Sequence, residues 1–101
     1  GVIATVNVHF GVFSLVNLAC TLGHEARIGR ASVLNPTVNI SGGVELGERV
    51  LVGTGAQVLQ YLRVGDDASV GAGAVVTRSV EPHTTVVGVP AKPLARTTRT
   101  P

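Results

Sequence analysis

An apolar residue recurs at every sixth position through most of this 101-residue chain. The series runs through thirteen consecutive hexads, from position 4 to position 76, without an insertion or a deletion. A fixed short period of this kind is typical of a solenoid, in which each repeat packs only against its neighbours. We call these positions the anchors: Ala4, Phe10, Val16, Leu22, Ile28, Leu34, Ile40, Leu46, Val52, Val58, Val64, Val70 and Val76.

A second column lies four places after each anchor and, except at Leu62, holds small or β-branched residues. The residue directly after the anchor is glycine in seven of the thirteen hexads. We expect the second column to pack where the coil narrows at its corners, and the glycines to serve positive φ or close backbone approach. The second column holds Val8, Ser14, Cys20, Ala26, Ser32, Val38, Val44, Val50, Ala56, Leu62, Ala68, Ala74 and Val80.

A hexad is too short for a helix and a turn, but it fits one short strand and a tight corner. The dominance of β-branched and small residues also favours strand. Three such strands make a triangular coil of eighteen residues, and coils stack at roughly 4.8 Å, the usual spacing of paired strands. The prediction is therefore an all-β fold, a parallel β-helix of about four coils. The period does not determine its hand, although parallel crossovers are normally right-handed.

The repeat divides the chain into two parts. We predict the β-helix over residues 1–81 and a C-terminal cover segment and tail over residues 82–101. Pro90 and Pro93 oppose a helix or a central strand, so residues 86–94 should lie extended over the last coil, and the tail from Ala95 should fray. The chain has no methionine and its register starts at once. We therefore expect a C-terminal piece of a longer protein whose N-terminal domain is absent.

Composition and charge exclude several function classes. The net charge of +2 is mild and aromatic residues make up 3%. The sequence therefore lacks the basic surface interleaved with aromatics that would predict nucleic-acid binding. No stretch of eighteen apolar residues predicts a membrane span, and without a signal peptide a cytoplasmic location is expected. The single cysteine, Cys20, cannot form an internal disulfide and is interpreted as core packing.

One histidine stands at a corner position beside a carboxylate. His24 follows Leu22 and Gly23, and Glu25 follows it. A carboxylate near an imidazole can orient it and suit it to act as a general base. One coil later, eighteen residues on, lies the Gly42-Gly43 corner, which can expose backbone N–H groups to a ligand. A base and an oxyanion donor in adjacent layers are what acyl transfer requires.

Two stretches carry a resemblance to a known family. Residues 16–29 (VNLACTLGHEARIG) and residues 86–94 (VVGVPAKPL) resemble the hexapeptide-repeat acyltransferases, in particular their sialic-acid O-acetyltransferase and nucleotide-sugar N-acetyltransferase branch. The resemblance covers about residues 10–94. It implies a left-handed β-helix, a homotrimer, and transfer of an acetyl group from acetyl-CoA to an amino or hydroxyl group of a sugar or nucleotide-sugar by direct attack, without a metal.

The resemblance also implies roles for individual residues. His24 would be the general base, and Glu25 the acid that raises its basicity. Asn17 would lie near the acceptor, and the Gly42 N–H would face the thioester carbonyl at the Gly42-Gly43 corner. The pantetheine arm would run between two subunits past Thr54 and Ala72, and Lys92 would lie near the nucleotide end of CoA.

Three features depart from the family pattern. Val33 stands where some members carry a second histidine, nine residues after the base. The corner at Gln60-Tyr61-Leu62 is bulkier than most, and Tyr61 is the single tyrosine. The N-terminal domain that helps members of this branch bind the nucleotide-sugar is expected to lie outside this sequence. The acceptor, the choice between O- and N-acetylation and the acyl length are therefore left open.

Two alternatives belong to other classes. A zinc enzyme on the same architecture needs three converging histidines. His9, His24 and His83 are fifteen and fifty-nine residues apart. Neither interval is a multiple of the eighteen-residue coil, so the three side chains are not expected to stack. A non-catalytic structural β-helix would keep the coil and lose the base, because a fold does not by itself give a function. Failure to bind CoA would favour that second alternative.

Overall fold

The computed structural model describes residues 1–94 as a stack of short strands joined by tight corners. The predicted tail from Ala95 lies outside the described residues. Within them the strands are β1 Ile3–Ala4, β2 His9–Phe10, β3 Leu15–Val16, β4 Thr21–Leu22, β5 Arg27–Ile28, β6 Val33–Leu34, β7 Asn39–Ile40, β8 Glu45–Leu46, β9 Leu51–Val52, β10 Gln57–Val58, β11 Arg63–Val64, β12 Ser69–Val70, β13 Val75–Val76, β14 Thr85–Val87 and β15 Lys92–Pro93.

Every third strand pairs in parallel, so the strands form the three faces of a triangular prism. Sheet A contains β1, β4, β7, β10 and β13; sheet B contains β2, β5, β8 and β11; sheet C contains β3, β6, β9, β12, β14 and β15. The register is eighteen residues, as where Ala4 pairs with Leu22 and Leu22 with Ile40. The predicted triangular coil is confirmed.

The corners form three edges, which we name after the sheets they join. The AB edge contains residues 5–8, 23–26, 41–44, 59–62 and 77–79. The BC edge contains residues 11–14, 29–32, 47–50, 65–68 and 81–84. The CA edge contains residues 17–20, 35–38, 53–56 and 71–74.

The anchors and the second column form the core, as predicted. From Cys20 onward nearly every member of both columns is buried, including the polar Ser32. The Ser32 hydroxyl donates to the Gly47 carbonyl at 2.8 Å and accepts from the Val50 N–H at 3.0 Å, which satisfies it inside the core. The first coil is more open, and Phe10 is 47% exposed.

The glycines after the anchors serve close approach and not positive φ. A Cβ on Gly53, for example, would lie 2.6 Å from the Ala72 backbone nitrogen in the next coil. Positive φ falls two residues later, as at Glu25 with φ 60°. There the Ala26 N–H donates to the Gly23 carbonyl at 3.3 Å, which is the pattern of a type II turn. Of the two uses expected for these glycines, positive φ or close backbone approach, the structure shows close approach.

The last coil is two residues shorter than the others. Val80 bridges to Val64, sixteen residues away, and so takes the place of an anchor. Its assignment to the second column was therefore wrong. β14 then pairs with β12 at the same shortened spacing, and β15 adds to β14 in the antiparallel direction.

Charge is distributed unevenly around the prism. Apart from Lys92 on β15, the described residues of sheet A, sheet C and the CA edge include no aspartate, glutamate, lysine, arginine or histidine. Charged side chains lie instead on sheet B and on the AB and BC edges. Separately, nothing within residues 1–94 forms a helix that could cross a membrane.

Candidate active site

His24 lies exposed on the AB edge, as the second residue of the corner that follows β4. The eighteen-residue register places Gly42 directly over it in the next coil. A Cβ built on Gly42 would lie 2.6 Å from His24 Nε2 and 2.9 Å from both Cδ2 and Cε1. The Nε2 side of the ring thus occupies the space where a side chain at position 42 would begin. The predicted stacking of His24 and the Gly42-Gly43 corner is present.

The two glycines of this corner differ in their hydrogen bonds. The Gly43 N–H donates to the His24 carbonyl at 2.8 Å, and the Gly42 carbonyl accepts from the Tyr61 N–H at 2.9 Å. The Gly42 N–H has no acceptor within residues 1–94. Of the two, only Gly42 therefore offers a ligand a backbone donor, and Gly43 contributes space.

Glu25 does not meet the His24 ring. No ion pair or hydrogen bond joins their side chains within residues 1–94, because consecutive residues of the turn point their side chains apart. Glu25 faces a groove on the sheet B side of the edge. Within a single chain, no contact therefore supports the expected role of Glu25 as the partner of His24.

The side chain of Asn17 makes a hydrogen bond that stabilises the fold. It lies on the CA edge, and its side-chain amide donates to the Leu34 carbonyl at 3.0 Å, alongside its own backbone N–H. This pair of bonds holds the first corner of the CA edge against the next coil. The structure does not bring Asn17 to His24.

Thr54 and Ala72 are exposed in successive coils of the CA edge. They stack eighteen residues apart, as predicted. Sheet A separates them from His24 and Gly42 on the AB edge. Within one chain the expected base and the expected pantetheine groove therefore lie on different edges of the prism.

Lys92 lies on β15 of sheet C and lines an open cavity of about 720 Å³ at the C-terminal end of the stack, between β15 and the last corner of the AB edge. Arg78 also lines this cavity. Arg78 belongs to the same stacked column as His24 and Gly42, three coils of eighteen residues after His24. The period therefore contained the signal for this second cation, although sequence reasoning did not use it.

The histidines do not converge. His9 lies on β2, His24 on the AB edge and His83 on the BC edge. In the part of the chain that the structure describes, no three histidine, cysteine or carboxylate side chains are placed to hold a metal ion.

Comparison with known proteins indicates which class of protein has a similar sequence and fold. No family profile matches the sequence. A Schizosaccharomyces pombe protein that carries the name acetyltransferase is 34% identical over 89% of this chain, which spans 53% of that protein. Serine acetyltransferase of Mycobacterium tuberculosis is 37% identical over 80% of this chain, which spans 31% of that enzyme.

Solved structures share the fold. Neisseria gonorrhoeae serine acetyltransferase in complex with serine matches with a TM-score of 0.82 at 30% identity, over 88% of this chain and 40% of that one. A variant of GDP-perosamine N-acetyltransferase from Caulobacter crescentus, in complex with CoA and GDP-perosamine, matches with a TM-score of 0.67 at 26% identity, over 94% of this chain and 54% of that one.

The fold is thus the left-handed parallel β-helix of hexapeptide repeats, as expected. In sequence and fold the chain is similar, over most of its length, to hexapeptide-repeat acetyltransferases. The chain spans about half or less of the length of the relatives described above.

Proposed function

We propose that this β-helix is the catalytic part of an acetyltransferase that moves an acetyl group from acetyl-CoA to a hydroxyl or amino group of a sugar or nucleotide-sugar. The observation that carries the proposal is the contact between the His24 ring and Gly42, whose N–H has no acceptor within residues 1–94. A proton acceptor and an oxyanion donor lie side by side there, which is the pair that acyl transfer needs.

The reaction follows from these two groups. His24 Nε2 takes the proton from the acceptor hydroxyl or amine as its oxygen or nitrogen attacks the thioester carbonyl. The Gly42 N–H donates to the oxyanion of the tetrahedral intermediate. Its collapse breaks the carbon–sulfur bond, and the CoA thiolate receives the proton from His24. Cys20 is fully buried in the core and cannot serve as a nucleophile, which supports direct attack over an acyl-enzyme.

The nucleotide end of CoA is assigned to the cavity that Arg78 and Lys92 line. Two coils separate Gly42 from Arg78 along the AB edge, a distance of roughly 10 Å at the spacing of paired strands. An extended pantetheine arm can cover that distance. Two cations at the far end suit the phosphates of CoA, because arginine and lysine bind phosphate by charge and hydrogen bonds.

The site is proposed to be completed by a second copy of the chain in a homotrimer. The CA edge carries Thr54 and Ala72 and no charged residue within the described chain, and the buried centres of protein interfaces are depleted of charge. Packing the CA edge of one copy beside the AB edge of the next would bring Thr54 and Ala72 to the groove that runs from His24.

A second acceptor class has its own support. The similarity to GDP-perosamine N-acetyltransferase favours an amino group on a nucleotide-linked sugar. The higher identity to serine acetyltransferases favours the hydroxyl of a small amino acid. The same base and oxyanion donor serve both reactions, so only the acceptor groove distinguishes them.

The test measures acetyl-CoA binding by calorimetry and the subunit number by light scattering, for the chain and for His24→Ala. We expect a trimer that binds acetyl-CoA with micromolar affinity in both forms. With an amino-sugar acceptor, His24→Ala should lower kcat about 10²–10⁴-fold, which is the usual contribution of a general base.

The variant Lys92→Ala is the matched control, because it should weaken CoA binding and leave kcat near that of the unchanged chain. A trimer that binds no acetyl-CoA would contradict the proposal and favour the structural β-helix. Equal kcat values for the chain and His24→Ala would remove His24 as the base.

A further inference from the structure

A polar groove runs along the AB edge on its sheet B side, next to the corner that carries His24. Its volume is about 420 Å³, and Gly43 forms its floor. Its walls are Asn7, His9, Glu25, Arg27, Glu45 and Tyr61. The groove adjoins the site described above, because Gly42 and Gly43 are consecutive residues of one corner.

The aromatic wall of the groove rests on Gly43. A Cβ on Gly43 would lie 2.5 Å from Tyr61 Cε1, so the tyrosine ring packs down on the glycine backbone. Tyr61 as a whole residue is still 69% exposed. The turn does not require an aromatic residue, since the same place in the three preceding coils holds Asn7, Glu25 and Gly43.

The positive φ of Tyr61, 63°, is shared by the third residue of most corners, including Asn7, Glu25 and Gly43 in the same column. It belongs to the type II turn of each corner and does not single out Tyr61. What distinguishes Tyr61 is its side chain, a large aromatic residue that is exposed beside the site and makes little contribution to the core.

The polar wall contains charges that the fold does not use. Glu45 pairs with Arg63 at 3.6 Å. For the side chains of Glu25 and Arg27 the structure shows no ion pair or hydrogen bond to any of residues 1–94. A free carboxylate and a free guanidinium therefore face the same groove as the exposed tyrosine ring.

We infer that this groove holds the sugar ring of the acceptor, with Tyr61 as its platform and Glu25 as a hydrogen-bond acceptor for its hydroxyl or ammonium groups. This inference rests on the proposed function and specifies its acceptor. An aromatic face with a few convergent polar groups is the usual composition of a small-molecule site. A pyranose has an apolar face that can cover Tyr61, whereas serine has none.

The single tyrosine provides a direct probe, because the chain has one tyrosine and no tryptophan. The experiment follows the Tyr61 ring resonances by NMR while methyl α-D-glucosaminide or L-serine is added, without CoA. We expect the amino sugar to shift these resonances saturably at millimolar concentrations and serine to leave them in place. Glu25→Gln should weaken the sugar response at least tenfold, whereas Glu48→Gln on the BC edge should not.

The Tyr61 signal decides this inference independently of the acetyltransferase proposal. Resonances that do not move with the sugar, or that move equally with serine, would overturn the groove assignment even if His24-dependent acetyl transfer is observed. A saturable, Glu25-dependent shift would support the groove even if acetyl-CoA fails to bind, in which case the proposed function alone would be lost.

Discussion

The His24 ring can lie where it does because residue 42 has no side chain. A methyl group at this position would overlap the ring, since its carbon would lie 2.6 Å from the nearest ring atom. Glycine at 42 therefore does two things at once. It leaves room for the imidazole and keeps the backbone N–H close to it.

We predict that Gly42→Ala displaces the His24 ring and lowers both activity and stability. Forcing one extra carbon into an occupied site costs about 1–3 kcal/mol. In the His24→Ala background the same substitution should cost much less, because the ring it displaces is gone. Thermal unfolding of the two single variants and the double variant measures this coupling. Additive changes in the free energy of unfolding would show that the two side groups do not meet.

At the scale of a corner column, charged residues on the BC edge bind one another across coils. Arg49 pairs with Asp67 in the next coil through Nε–Oδ1 at 2.7 Å and Nη2–Oδ2 at 2.9 Å. His83 Nδ1 lies 3.8 Å from Asp67 Oδ2 in the shortened last coil. The hydrogen bonds from Arg49 lower the pKa of the Asp67 carboxyl below its usual value.

This column predicts an acid-dependent loss of stability. A carboxyl whose pKa is lower in the folded state contributes fully above its unfolded pKa of about 3.9 and loses that contribution as the pH falls through the folded value. Asp67→Asn should therefore unfold at a lower temperature than the unchanged chain at neutral pH, and the difference should shrink below about pH 4. Glu81→Gln, an exposed change on the same edge, should show no such convergence. If the difference in unfolding temperature between Asp67→Asn and the unchanged chain stayed constant across pH, Asp67 would not be the source of the acid-dependent loss of stability.

The six-residue period predicted the elements well because it reports burial directly. Leu22, Ile40 and Val58 stack at eighteen-residue intervals, and this placement buries every anchor from Leu22 onward. The same period put His24 beneath Gly42. It could not reveal the short last coil, because Val80 is apolar in either register. It also could not show that Glu25 turns away from His24, since that depends on the geometry of one turn.

At the scale of the whole molecule, the uneven distribution of charge favours the CA edge as the surface that a second copy would cover in the proposed trimer. The CA edge presents Thr54 and Ala72 with no charged residue along its described length. Burying an unpaired charge in such a surface is strongly unfavourable. The edge is therefore the place where assembly and catalysis are expected to depend on each other.

We predict that Thr54→Arg prevents assembly and lowers activity together. Val12→Arg is the matched control, because Val12 takes the same place in a corner of the charged BC edge and is 63% exposed. Light scattering gives the subunit number, and acetyl transfer from acetyl-CoA gives the activity. Full assembly and activity of Thr54→Arg would place the interface elsewhere.

The way the stack ends has a consequence for the behaviour of the chain in concentrated solution. A regular parallel coil presents unpaired strand edges onto which another copy could add end to end, and such edges favour growth into fibres. Here β15 runs against the direction of β14, and the Ala91 N–H donates to the Val75 carbonyl at 2.8 Å across the end of sheet A. Over the described residues, the last coil thus offers a poor template for a further parallel coil, which disfavours end-to-end growth through β15.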